Sequence, residues 1–162
     1  MIRLARKEDL AAIRALAVES ILHSLPTTRE ATPEQVQQAM LDSLADLEET
    51  LGRDRNTLLL VETTKDHRLK GYILVQLNHV EPATGERQGF IVDIAVTPEF
   101  RGGMTVKRLI EKASQLVAAR GLKYLVGTIS ANNQAALRVQ KALGFEIERH
   151  QIVRRCRLPG QT

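Results

Sequence analysis

The stretch GFIVDIAVTPEFRGGMTVKRLIEKASQLVAARG, running from Gly89 to Gly121, decides how this chain reads. Gly89 to Val96 is apolar and β-branched, which predicts a buried strand. Thr97-Pro98-Glu99-Phe100-Arg101-Gly102-Gly103 predicts a turn. Thr105 to Arg120 predicts the clearest helix: Val106, Leu109, Ile110, Ala113, Leu116 and Val117 share one face, and Gly121 stops it. A strand therefore feeds through a glycine-containing turn into a helix N-terminus. The first turn of a helix leaves N–H groups unpaired and carries partial positive charge. Glycines let a phosphate approach that backbone, and Arg101 adds a full charge, so the pattern suits a pyrophosphate. It also suits a plain strand-to-helix turn whose glycines serve backbone shape.

Working outward toward the N-terminus, Thr57 to Thr63 and Gly71 to Val80 predict two more strands. Asp66 to Leu69 turns between them, and Glu81 to Arg87 loops to the Gly89 strand. Before these, Ile2 to Ala5 predicts a short strand and Lys7 to Leu25 a helix with Leu10, Ile13, Ala17, Ile21 and Leu22 at helical spacing. Thr32-Pro33-Glu34-Gln35 starts a second helix, with a capping threonine and Gln35 placed for a capping box. Val36, Met40, Leu44 and Leu47 form its stripe, and Gly52 ends it. Toward the C-terminus, Tyr124 to Ile129 predicts a strand and Asn133 to Leu143 a short helix ended by Gly144. Phe145 to Arg157 predicts a last strand, with a loose tail after Pro159. Three strands in series imply antiparallel neighbours, and the later strand–helix–strand implies a parallel crossover. The expected fold class is α/β (α+β), with a mixed, largely antiparallel central sheet flanked by helices.

The bulk composition narrows the function. The chain has 162 residues, which fits one domain over 1–162. Its formal net charge is +4 and its aromatic content 3%, with no Trp. The charge favours anionic ligands, but so few stacking side chains argue against nucleic acid as the partner. One cysteine, Cys156, excludes an internal disulfide and points to a cytoplasmic compartment. No apolar run approaches the ~18 residues that span a bilayer, so no membrane partner is expected. No metal site is expected either.

A second unit accompanies the first. Asn133-Gln134-Ala135-Ala136 opens the short helix that closes with Leu143-Gly144-Phe145. Asn132 or Asn133 read alone is an N-cap. Read together, the two units resemble the GNAT superfamily of acetyl-CoA-dependent N-acetyltransferases. The resemblance covers roughly Ile2 to Phe145 and is strongest from Phe90 to Phe145. Val96, Pro98, Phe100, Arg101 and Gly102 match the family's acetyl-CoA motif, V-x-P-x-[YF]-[RQ]-G-x-G-x-[GA]. Asn133, Ala136, Leu143, Gly144 and Phe145 match its N-x-x-A…G-F segment. Three positions depart from it. The second motif glycine falls on Met104 and the third small residue on Val106. Gln140 stands where the family often has a tyrosine that protonates the departing thiolate, and an amide is no proton source.

The resemblance implies the GNAT acyltransferase fold, acetyl-CoA as co-substrate, and direct attack of a primary amine on the thioester. It assigns Ile94 and Val96 to the pantetheine amides, with the Ile94 N–H also stabilising the oxyanion. Arg101, Gly102, Gly103, Met104, Thr105 and Val106 would hold the pyrophosphate, and Asn133 would touch the pantetheine or thioester. A homodimer is compatible with the family. The base is read from the residues: Asp93 is a carboxylate in an apolar strand, where burial raises its pKa unless it is paired or solvated. Tyr72 and Tyr124 are alternative proton donors, with Tyr124 expected to pack in the sheet. His79 ends a strand and can face the acceptor. Glu99 reads as a solvated charge, and Cys156 as an ordinary thiol. Met104, Val106 and Gln140 motivate the alternative of a non-catalytic acyl-CoA-binding protein.

Overall fold

A five-stranded sheet in the order β1-β2-β3-β4-β5 is built from β1 (Ile2–Leu4), β2 (Thr57–Thr63), β3 (Leu69–Val80), β4 (Arg87–Val96) and β5 (Leu125–Val126). The structure is a computed structural model, and it describes residues 1–160; the end of the C-terminal tail, 161 and 162, lies outside them. The first three pairings are antiparallel and β4 pairs β5 in parallel. The mixed, largely antiparallel sheet is thus as expected. Helices α1 (Leu10–Ile21), α2 (Pro33–Ser43) and the one-turn α3 (Leu47–Thr50) precede β2, α4 (Thr105–Ala119) joins β4 to β5, and α5 (Gln134–Gln140) follows.

Alternation along the strands sends side chains to two faces. On one, Leu59, Val61, Tyr72, Leu74 and Ala95 pack against Leu10, Ile13, Leu16 and Ala17 of α1, with Leu44 and Leu47 closing the edge. On the other, Leu58, Leu60, Ile73, Val75 and Leu77 pack against Leu109, Ile110, Ala113 and Val117 of α4. Close approach of β3 to β4 depends on Gly71: a Cβ there would stand 2.7 Å from the Ala95 carbonyl oxygen.

Local chemistry explains where several boundaries move. The first helix begins as a 3-10 turn at Lys7–Asp9, where Asp9 accepts from the Arg6 N–H (2.7 Å) and from both Arg3 amines. The hydrogen bonds from Arg3 hold the Asp9 carboxyl below its ordinary range. The α-helix ends at Ile21, where the Ser24 hydroxyl takes the Ile21 carbonyl (3.2 Å). The capping box at Thr32 and Gln35 forms, with bonds of 3.2 and 2.9 Å. Its helix stops at Ser43, and α3 fills the gap before Gly52.

The strand expected from Tyr124 to Ile129 shrinks to Leu125–Val126, and Tyr124, expected inside the sheet, is half exposed just before it. The strand expected from Phe145 to Arg157 does not form. Ile152 and Val153 are adjacent there, so a strand would point apolar side chains to both faces, and four arginines crowd the segment. Phe145 packs partly against the α4 cluster, while Ile152 is 92% exposed. Ion pairs from Arg149 to Glu81 (2.8 Å) and Arg155 to Glu30 (2.5 Å) tie the segment down. Among the described residues no helix is long and apolar enough to cross a membrane.

Candidate active site

One short ladder leaves an open edge along β4. β5 pairs only with Gly89 and Phe90, so no strand among the described residues flanks Ile91 to Val96 on that side. The Thr97 N–H donates to the Lys70 carbonyl on β3 (2.9 Å). Alternation then turns the Ala95 and Asp93 amides toward β3 and the backbone groups of Ile94 and Val96 toward the open edge. Asp93 pairs with Leu74 and Ile91 with Val75, leaving Val92 as the extra residue of a β-bulge. Bulges of this kind re-aim the side chains beside them.

The edge leads directly into the turn. Thr97 is held by Lys70, and Pro98–Phe100 makes a 3-10 turn. Gly102 then takes φ +78°, a left-handed conformation that favours glycine. Met104 sits at the N-cap of α4 in a helical conformation, and no side chain caps the helix. The Arg108 N–H is the first to reach back along the helix, to the Met104 carbonyl (3.0 Å). The amides ahead of it are the positive end of a fifteen-residue helix. Gly102, Gly103 and Met104 are exposed, Val106 is half-buried, and Thr105 is buried beneath them.

The Arg101 guanidinium already has partners. Its Nε donates to the Val96 carbonyl (3.0 Å), and Nη2 meets Glu19 of α1 at 2.6 Å. Glu19 also contacts His23 (3.2 Å). Burial raises the Glu19 carboxyl pKa, and the bonds from Arg101 and His23 more than offset it, leaving it lowered. Nothing in the sequence pattern linked α1 to the turn, because the two lie 82 positions apart.

On the α1 face, the Tyr72 hydroxyl donates to Oδ2 of Asp93. Tyr72 is fully buried and Asp93 half-buried. Burial raises the Asp93 pKa, while the bonds from Tyr72 and from the Ile94 N–H offset part of the rise. Burial, then the Asp93 charge, drives the Tyr72 hydroxyl pKa far upward. Tyr72 and Asp93 thus come together although neither is directly opposite the other in the ladder: Tyr72 faces Ala95.

The other candidates lie at the margins. The Asn133 side chain caps α5, accepting from the Ala136 N–H (3.2 Å). Its neighbour Asn132 donates to the Leu25 carbonyl (2.8 Å), and Ser130 to that of Ser24, tying the end of α1 to the turn before α5. Gln140 is half-buried, and its carbonyl accepts from Leu143 and Phe145, both at 3.1 Å. His79 stacks on Phe90 at 4.6 Å and bonds to Gln88. Glu99 is exposed and pairs with Arg68 (3.1 Å), and Cys156 is exposed and free.

Comparison with known proteins agrees with this architecture. The structure resembles a putative acetyl transferase from Pyrococcus furiosus, with a TM-score of 0.76 at 19% identity over 96% of this chain and 99% of that one. It also resembles the aminoglycoside N-acetyltransferase AAC(6')-Iy in complex with CoA, with a TM-score of 0.69 at 23% identity over 98% and 100%. A third likeness is to the apo aminoglycoside 6'-N-acetyltransferase AAC(6')-IG from Acinetobacter haemolyticus, with a TM-score of 0.66 at 16% identity over 98% and 99%. No curated protein matches the chain. The model of the acetyltransferase (GNAT) family matches residues 8–145, which is most of the chain, and the protein belongs to that family.

Proposed function

We infer that the protein transfers an acetyl group from acetyl-CoA to a primary amine of a small molecule or a peptide. The observation that carries this reading is the open β4 edge ending at the uncapped N-terminus of α4. A thioester arm laid along Ile94 and Val96 would gain strand-like hydrogen bonds, and its pyrophosphate would reach the amides from Gly102 to Val106, beside Arg101, whose own N–H is paired with the Pro98 carbonyl. Those amides are the main ligands in this reading, since the Arg101 guanidinium is shared between Val96 and Glu19. The side chains of Met104 and Val106 leave the amides in place. Asn133, which the family pattern assigns to the pantetheine or thioester, would have to reach it from the cap of α5.

In the reaction the amine nitrogen attacks the thioester carbonyl, forming a C–N bond as the C–S bond breaks. The Ile94 N–H, which also faces the Asp93 carboxylate, stabilises the oxyanion as that carboxylate takes up its proton. Asp93, its pKa raised by burial, takes the proton from the amine directly or through water. The thiolate takes a proton from solvent, because Gln140 cannot supply one. Mixing the protein with acetyl-CoA and an amine panel while following free thiol tests the reading. Thiol release that depends on the amine is expected, and no binding of acetyl-CoA by calorimetry would overturn it.

Gln140 also favours a second reading, an acyl-CoA-binding protein without turnover. It predicts CoA binding with no thiol release on any amine, and a single productive amine rejects it.

A further inference from the structure

Glu62, at the far end of β2, is 4% exposed, and the family motif does not include it. Its Oε1 receives three N–H groups: Arg108 Nη2 (2.6 Å) and Nε (3.0 Å), and Lys70 Nζ (3.2 Å). Its Oε2 is buried without a partner. Burial raises the carboxyl pKa, and the bonds and charges of Arg108 and Lys70 more than offset it, so Glu62 is held ionised below its ordinary range. Burying a charge with one oxygen unsatisfied is expensive, and apolar residues often do as well at such places. The position therefore asks for a reason beyond stability.

The two cations supply one, because each belongs to an element bordering the turn. Lys70 lies in β3; its ammonium sits 4.9 Å above the Phe100 ring, and its carbonyl takes both the N–H and the hydroxyl of Thr97. Arg108 lies in α4, on the turn of helix that closes over Met104. One carboxylate oxygen thus holds the ammonium that packs on Phe100 and the guanidinium on the start of α4, the two ends of the segment Phe100 to Met104. Between those ends the chain holds two exposed glycines and an uncapped helix start. Up to Arg101 the 3-10 turn and the bonds to Val96 and Glu19 hold the chain, but past it the local chain does little to fix its own shape.

We propose that Glu62 is a positioning residue for the pyrophosphate turn, acting through Lys70 and Arg108 and touching no ligand itself. The proposal rests on the reading of that turn as the CoA site. Without the carboxylate, the two cations lose their shared partner and repel each other. The turn and the first helical amides then shift relative to β4. Displaced amides aim less well at the phosphate oxygens and lose part of their hydrogen bonds to them.

The experiment compares CoA with pantetheine, which has no phosphate, by calorimetry on the unaltered protein, Glu62→Gln, Glu62→Asp and Arg108→Gln. Thermal melts report whether each variant is folded. Glu62→Gln is expected to weaken CoA about tenfold and leave pantetheine unchanged, with Glu62→Asp recovering part of the loss. Arg108→Gln, at a side chain 41% exposed, carries the same expectation should Glu62→Gln not fold. A folded variant that binds CoA as the unaltered protein does, or that loses both ligands equally, overturns the proposal alone. Failure of the unaltered protein to bind CoA overturns the functional reading and the proposal with it.

Discussion

The hydroxyl of Tyr72 reaches Asp93 diagonally across the β3–β4 ladder, and burial raises the pKa of both groups. The bond favours the charged form of Asp93 against a stronger desolvation. If Asp93 is the base, the reaction needs its carboxylate, so the rate falls as pH drops through its raised pKa. Tyr72→Phe removes the donor, raises that pKa further and moves the acid limb of the kcat/KM profile to higher pH. Asp93→Asn abolishes the limb and most of the rate. Profiles of the two variants check this; an acid limb unmoved in Tyr72→Phe would detach Tyr72 from the base.

Arg101 and Glu19 set up a competition that thermodynamics can read. Any phosphate that uses the Arg101 guanidinium must draw it from Glu19, 2.6 Å away. Both side chains are about four-tenths exposed, so the pair is screened and worth at most about 1 kcal/mol. Glu19→Gln is therefore expected to tighten CoA binding by no more than about fivefold. Arg101→Ala is expected to weaken it while leaving the melting temperature nearly unchanged. Calorimetric titration of both variants checks the pair of signs, and equal affinities throughout would show that the phosphates do not use the Arg101 guanidinium.

Much of this arrangement was legible in the residues. Short apolar runs between turn residues located β2, β3 and β4, and the apolar face of α4 fixed the strand–turn–helix unit, because each signal is local. The capping box at Thr32 was legible for the same reason. Asp93 stood out as a charge in an apolar strand, but its partner did not, since the bulge at Val92 sets the register that brings Tyr72 near. Nothing local in the sequence singles out Glu62. Its role depends on Arg108, 46 positions away, and only the folded chain makes them neighbours. The strand expected after Phe145 fails where Ile152 and Val153 break the alternation.

Gly71 gives a prediction about the scaffold alone. An added Cβ would meet the Ala95 carbonyl at 2.7 Å, with Thr105 and Val96 methyl carbons at 3.1 Å. A Cβ is fixed by its own backbone and meets a backbone oxygen, so neither atom can rotate away. Gly71→Ala is expected to lose about 1–3 kcal/mol, the usual cost of overpacking. Urea unfolding measures it, and a midpoint equal to that of the unaltered protein would show that β3 and β4 separate freely. Because Ala95 lies between Ile94 and Val96, CoA affinity should fall with stability.

Gln140 offers a test by gain. It lies at the end of α5, half-buried, and its carbonyl holds the turn to Phe145 through the backbone, so the side chain is free to change without loosening the turn. In the reaction as read here, the thiolate leaves without a protein proton donor. Its protonation by solvent then limits or delays product release. Gln140→Tyr places a phenol there, with an ordinary pKa near 10, close enough to a thiol's to donate. The expected result is a higher kcat with the KM for acetyl-CoA unchanged, since the new group acts on the leaving group and not on binding. A solvent isotope effect should fall in the same variant. An unchanged kcat, with the fold intact, would mean that the thiolate already finds its proton elsewhere.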